Sequence, residues 1–354
     1  MLGRKTLFII GAGAGFDITM PMGDDLARNI AEHLNIRFDP RDNRRASGNE
    51  VTFGALKLLA RDDGPGPDVN PYCEAGRQIA GGLLGWSSSI DGYLNRHQDD
   101  LIVQKCGKLA IAQVILESES NCDLYVDLRQ SDKLEFRNGG KVRQSWFQAL
   151  WSILETGIVK SKNLESIFDK LSVITFNYDR TLEHFLHVGL QQAYHLPADD
   201  AAAIINEKLD IDHVYGQVGY LPWQGQGHSF PFGRKPESQH LVNLWSRIST
   251  FNEEITDRTF LEKLGMKVAN AERIVFLGCH FHDQNTKILR SAPGGQHQQI
   301  SVYATGFKRS TPAITQIKNQ IQQMTNPRTP YIEIETNWDC GKLFSEFDTT
   351  WAGE

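Results

Sequence analysis

The sequence predicts an α/β fold: a Rossmann-like, mainly parallel sheet with helices on both faces and a helical insertion. Three observations predict it. Short strand-forming runs recur, Leu7-Phe8-Ile9-Ile10, Val173-Ile174-Thr175-Phe176 and Ile274-Val275-Phe276-Leu277, each ending at a glycine or an asparagine. Runs of this kind suit strands buried on both faces, as parallel strands are. The first run leads into Gly11-Ala12-Gly13-Ala14-Gly15 and then, from about Asp24, into a helical pattern with Leu26, Ile30 and Leu34 on one face. Between the first and second runs the chain reads as helical rather than as strands.

Composition sets the limits. The chain has 354 residues, 40% hydrophobic and 23% charged, with a formal net charge of −6. That balance is ordinary for a globular protein. The acidic charge argues against a large non-specific nucleic-acid surface, so no direct nucleic-acid binding is expected. No apolar run reaches the length of a membrane span. The start, MLGRKTLFII, leads straight into the first strand, so no signal peptide is expected and a cytoplasmic location is. Cys73, Cys106, Cys122, Cys279 and Cys340 are scattered, with no C-x-x-C pair. Neither disulfides nor a structural zinc is expected from that spacing.

The elements follow in order. Residues 36–71 read as irregular, rich in charge, Gly and Pro, with a short helix in VTFGALKLLA. From Cys73 to Glu119 the pattern is helical, with a serine cap ahead of Ile90, Tyr93 and Leu94, and then Leu109, Ala112, Val114 and Leu116. Residues 144–158 give a further helix through Trp146, Leu150, Trp151 and Leu154, whose helical spacing marks them as core. The domain reading is therefore 1–35 and 165–354 as one nucleotide-binding domain, with 36–164 a mainly helical insertion. A strand at Ile300–Ala304, an amphipathic helix in PAITQIKNQIQQM, an edge strand in YIEIE and a closing helix at Lys342–Phe347 complete the chain.

The candidate site lies where the strands end. Strand, glycine turn and helix together point backbone N–H groups at a phosphate. The turn lacks the third glycine of the dinucleotide fingerprint, and a purely steric use of the glycines stands beside the binding one. Pro21 fixes an extended loop before the helix. Asn177 and Asp179 end the second run, where polar side chains face a ligand crevice, although both types also serve as turn and cap residues. His213 and Tyr215 are two apart, so on a strand they share a face. Both are expected in the crevice, with His213 carrying the chemistry; Tyr215 in that position, or a purely structural hydrogen bond at His213, stands beside it. His280 and His282 have H-x-H spacing but no evident third ligand, and read as loop residues near a nucleotide.

These residues together resemble the sirtuin-like family. Gly11, Ala12, Gly13, Met20 and Pro21 match its first motif, with Gly15 in place of a serine. Thr175, Asn177, Asp179, Leu182 and Glu183 match the second one for one. The family's catalytic His-Gly is here His213-Val214-Tyr215-Gly216, and Gly278, Phe281 and Asp283 fit a later motif. The four-cysteine zinc ribbon of the deacetylases is absent. The chain looks like the zinc-free, helix-inserted members of bacterial anti-phage defence. That resemblance implies hydrolysis of NAD, as substrate, to nicotinamide and ADP-ribose. It implies Asn177 and His213 as catalytic residues, and Gly11, Ala12, Gly13, Gly15, Pro21, Asp179 and Gly278 as NAD-binding ones; Thr305 joins these from its own position, at the end of the Ile300–Ala304 strand where the adenosine end would rest. It further implies a homo-oligomer, and a separate partner such as a HerA-like ATPase, an Argonaute-like protein or a sensor. The alternative is a non-catalytic protein that binds NAD or ADP-ribose. A dehydrogenase is a third reading, opposed by the missing third glycine.

Overall fold

In the computed structural model, residues 1–41, 44–64, 68–86, 89–127, 134–249, 257–290 and 299–353 are described. Positions 42–43 and 65–67, in the stretch read as irregular, lie outside them. A six-stranded, all-parallel sheet forms the centre, built from β1 (Thr6–Ile10), β4 (Leu171–Thr175), β5 (Asp210–His213), β6 (Arg273–Leu277), β7 (Gln299–Thr305) and β8 (Thr329–Glu335). A short antiparallel pair, β2 (Arg37–Phe38) and β3 (Arg45–Ser47), stands apart from it within the stretch expected to be irregular.

The sheet order is β5-β4-β1-β6-β7-β8. Counting only its own strands, this is the doubly wound order 3-2-1-4-5-6. The chain moves outward from β1 to one edge and then crosses to the other side, so the order reverses between β1 and β6. β1 pairs with β4 on one side and β6 on the other, so Phe8 lies between Val173 and Val275. YIEIE forms β8, at the edge of the sheet.

Alternation along β1 divides the core in two. Leu7 and Ile9 face one way, into a cluster with Leu26, Ile30, Leu109, Val268 and Ile317. Phe8 and Ile10 face the other way, with Trp146, Phe147, Phe185, Phe344 and Trp351. Both faces are covered by helices, which is why the central strands β1, β4 and β6 are mainly apolar. Segment 36–164 shares both clusters instead of closing a core of its own. Its helices Glu50–Asp62, Asn70–Gly85 and Leu101–Asn121 serve the first face, and Trp146–Glu155 serves the second.

Leu101–Asn121 is the central helix of that segment. It is buried on nearly every side, including Gln113 and Glu119 at 0% exposure. Its buried residues include polar ones, Gln104, Lys108, Gln113, Glu119 and Ser120, beside the apolar majority, and buried polar groups need hydrogen-bond partners. Glu119 pairs there with Arg180, which is also fully buried and sits where β4 gives way to the helix Thr181–Tyr194. Arg180 donates its main-chain N–H and its Nε to Glu119 Oε1 at 3.0 and 3.1 Å, and Nη2 to Oε2. Its Nη1 donates to the carbonyl of Phe230 at 2.5 Å. One guanidinium thus ties the central helix, the end of β4 and the loop at 219–230 together.

Glu119→Ala leaves the Arg180 charge buried without its carboxylate. It should cost about 3–5 kcal/mol of unfolding free energy in denaturant titration. A Glu119→Met, Arg180→Met double variant should recover much of that loss. If the single variant unfolds at the wild-type denaturant midpoint, this pair is not the tie described.

Candidate active site at the strand-order reversal

The glycine turn begins where β1 ends. Ala12–Ile18 form a 3-10 segment, Gly11 is its extended cap and Thr19 closes it in the left-handed region at φ 64°. Pro21 then leads into the helix Gly23–Leu34 through Met22, which is extended. The helix starts at Gly23 as the position of Pro21 suggested, but the stretch before it is not extended loop throughout, because Phe16–Ile18 belong to the 3-10 segment.

The turn after β6 presses directly on this one. A Cβ on Gly11 would lie 2.8 Å from the carbonyl oxygen of Gly278, and one on Gly13 2.9 Å from the Gly278 Cα. Gly278 has φ +61°, and its own Cβ would fall 2.0 Å from the Ala14 nitrogen. Three glycines are thus needed for backbone-to-backbone packing alone. Two of their N–H groups are spent in the same contact, Gly11 donating to Leu277 O at 2.9 Å and Gly13 to Gly278 O at 3.1 Å, while Ala14 closes the turn on itself by donating to Gly11 O at 3.0 Å. Gly278 in turn donates to the hydroxyl of Thr305 at 2.9 Å, so Thr305 braces the turn. Gly15 packs under Met20, where a Cβ would meet the Met20 Cβ at 2.7 Å. What the turn offers outward is Ala12 and the ring of Phe16, which is 62% exposed.

Asn177 joins the turn from β4. Its Nδ2 donates to the Gly11 carbonyl at 3.3 Å and its main-chain N–H to Thr175 Oγ1 at 3.1 Å. Asp179, one residue before the cap position Arg180 of the next helix, forms a local side-chain turn, accepting from the main-chain N–H of Thr181 at 3.1 Å and from its hydroxyl. The turn role weighed for Asp179 is thus present, while the cap position falls on Arg180, whose side chain makes no capping bond. Burial, opposed by those hydrogen bonds, pushes its carboxyl above the ordinary range.

His213 and Tyr215 do not share a face. β5 ends at His213, and Gly216 at φ +72° turns the chain. The two-residue alternation holds only while the strand lasts. His213 lies on the side of Ile10 and Trp146, and Tyr215 packs in the opposite cluster. There the Tyr215 hydroxyl donates to Asn285 Oδ1 at 2.6 Å, and its ring lies 6.5 Å from that of Tyr178. The hydroxyl of Tyr178 donates to Asp91, whose carboxyl is raised by burial against that bond. Sequence reasoning passed over Asp91, although Ser89 marks it as the first turn of a capped helix.

His213 is held at both nitrogens. Nδ1 is 3.0 Å from the Asn177 main-chain carbonyl and Nε2 is 2.9 Å from Glu183 Oε1, with both side chains nearly sealed from solvent. Burial by itself lowers its pKa. The Glu183 charge and hydrogen bond, the Asn177 carbonyl and Asp179 outweigh that and hold it above the usual histidine value. A cavity of about 10 Å³, room for roughly one water, lies among Asn177, Asp179, Glu183 and His213 under Trp146 and Phe147. A dinucleotide would have to lie outside it, over the exposed face of the turn.

The remaining candidates line the same edge. His280 and His282 stack with ring centroids 4.9 Å apart, both exposed. Burial, then Arg309 and His282, lower the His280 pKa. Among the described residues, no three His, Cys, Asp or Glu side chains converge as a metal would require. All five cysteines are free thiols; Cys279, at the foot of the turn, is pushed up to about 12 by burial and is not a thiolate. No helix among the described residues is long and apolar enough to cross a membrane.

The raised pKa of His213 makes it a source of pH-dependent stability. Its contribution is complete below the unfolded value of about 6.5 and is lost as pH rises through the higher folded value. The stability difference between wild type and His213→Gln, from urea unfolding, should therefore be largest in mild acid and shrink through alkaline pH. A difference that grows with pH would mean the folded ring is neutral.

No family model and no curated protein matches the chain, so the sirtuin-like resemblance rests on the motif residues alone.

Proposed function

We propose that this chain binds NAD over the glycine turn at the β1/β6 reversal and hydrolyses its nicotinamide–ribose bond. The observation that carries the proposal is the Asn177 carboxamide. It is fixed on the carbonyl of Gly11 at the point where a doubly wound sheet receives a nucleotide. The reaction suits a site with few acids and bases. The C1′–N bond breaks with its electron pair going to the ring nitrogen, so the pyridinium leaves as neutral nicotinamide and needs no proton. Water then adds to the oxocarbenium-like carbon and loses its proton to solvent. A carboxamide that positions the ribose or the water supplies what this step needs most, orientation.

His213 is not the base in this account, because neither of its nitrogens faces an open position. The same fact favours a second reading, binding of NAD or ADP-ribose without cleavage. A role in anti-phage defence, a homo-oligomer and a HerA-like or other separate partner remain parts of the proposal that rest on the resemblance.

Purified protein incubated with NAD separates the two readings by nicotinamide release. Asn177→Ala should lower that release about 100-fold or more while leaving ADP-ribose binding measurable. Tyr215→Phe should be nearly silent. Wild-type protein that binds NAD but releases no nicotinamide makes the second reading the correct one. Equal rates for wild type and Asn177→Ala would place the chemistry elsewhere.

A further inference from the structure

We infer that His213 is a cationic positioning residue: bridging Glu183 and the Asn177 main-chain carbonyl as an imidazolium, it holds the Asn177 carboxamide against the glycine turn. The role of Asn177 in hydrolysis rests on the function proposed above; the bridge itself does not. The argument is one of donors and acceptors. A carbonyl oxygen only accepts, so Nδ1 must carry a proton to bond Asn177 at 3.0 Å. An ionised carboxylate only accepts, so Nε2 must carry one to bond Glu183 at 2.9 Å. With Glu183 ionised, both are satisfied together only in the charged ring.

The groups facing the ring agree with a cation. Glu183 comes from the helix Thr181–Tyr194 and Asp179 from the loop after β4, while Trp146, Phe147, Ala14 and Gly15 close the remaining sides without charge. Among these neighbours every ionisable group is an acid. The mechanical consequence follows from the chain. The carbonyl that the ring holds and the carboxamide that touches Gly11 belong to one residue, Asn177. Its N–H is pinned to Thr175 as well. Losing the proton from Nδ1 would replace an attraction with two facing lone pairs and free Asn177 at that end.

The test uses the full-length protein with histidine and asparagine isotopically labelled. Ring-nitrogen and carboxamide resonances are followed from about pH 5 to about pH 10. The expected result is both His213 nitrogens protonated at neutral pH. The Asn177 carboxamide signals should shift with the same midpoint as the ring. Glu183→Gln should lower that midpoint by about one unit or more. In nicotinamide release, kcat should fall about 100-fold as pH passes the His213 midpoint, with KM little changed. Charge loss at a merely structural histidine would not move kcat alone. A neutral ring bonded to a protonated Glu183, or Asn177 signals indifferent to the ring's titration, overturns the inference. If the resonances behave as expected and no pH gives nicotinamide, the hydrolase proposal fails and the bridge stands.

Discussion

The Arg180–Glu119 pair is the constraint on which the rest depends. Both side chains are fully buried, and both come from sequence-distant elements. A guanidinium without its carboxylate in that position would carry an uncompensated charge in the core, a cost of several kcal/mol. Its remaining donors are taken up by main-chain carbonyls at 219–230. The pair thus fixes the loop between β4 and its helix from outside, and that loop carries Asn177 and Asp179. The long buried helix of the insertion therefore does more than cover the sheet. It sets the position of the residues that end β4.

The fold was largely legible because its signals are local. Four-residue strand-forming runs, breaks at Gly or Asn, and helical spacing from Asp24 each arise within a few residues and survive into the folded chain. The site was legible in part. Asn177 lies against Gly11 as two strand ends in register require. The glycines at 11, 13 and 278 are explained by the contact between two turns, and that contact joins segments more than 250 residues apart. Nothing near Gly13 in the sequence announces Gly278. The pairing of Tyr215 with His213 on one face failed for a physical reason as well. Period-two reasoning presumes a strand, and β5 stops at His213, with Gly216 turning the chain. Glu183 was visible as a motif match, but its partnership with His213 depends on how the helix after β4 packs beside β5.

Steric and binding uses of the glycine turn are compatible. Close packing of Gly11, Gly13 and Gly278 consumes three N–H groups on the inner side and leaves Ala12 and Phe16 facing outward. Any dinucleotide therefore meets a turn already stiffened by its neighbour and by Thr305. A stiff surface loses little conformational freedom on binding, which favours affinity from a small contact. It also means that a substitution at Gly278 would act through the backbone of the turn rather than through contact with ligand.

The buried charges around Asn177 form a nearly balanced set. Arg180 answers Glu119 and a charged His213 answers Glu183, which leaves Asp179 as the odd carboxyl. Burial raises its pKa, and the main-chain N–H and hydroxyl of Thr181 hold it in place. A neutral His213 would change this balance by one full charge in a region sealed by Trp146 and Phe147. With the ring's proton lost to solvent, two carboxyls would share the space without a cation, and their repulsion would bear on the loop that carries Asn177. The protonation of His213 and the geometry of Asn177 are linked for that reason as much as by the hydrogen bond between them. The cavity between them, with room for about one water, is too small for solvent to screen the change.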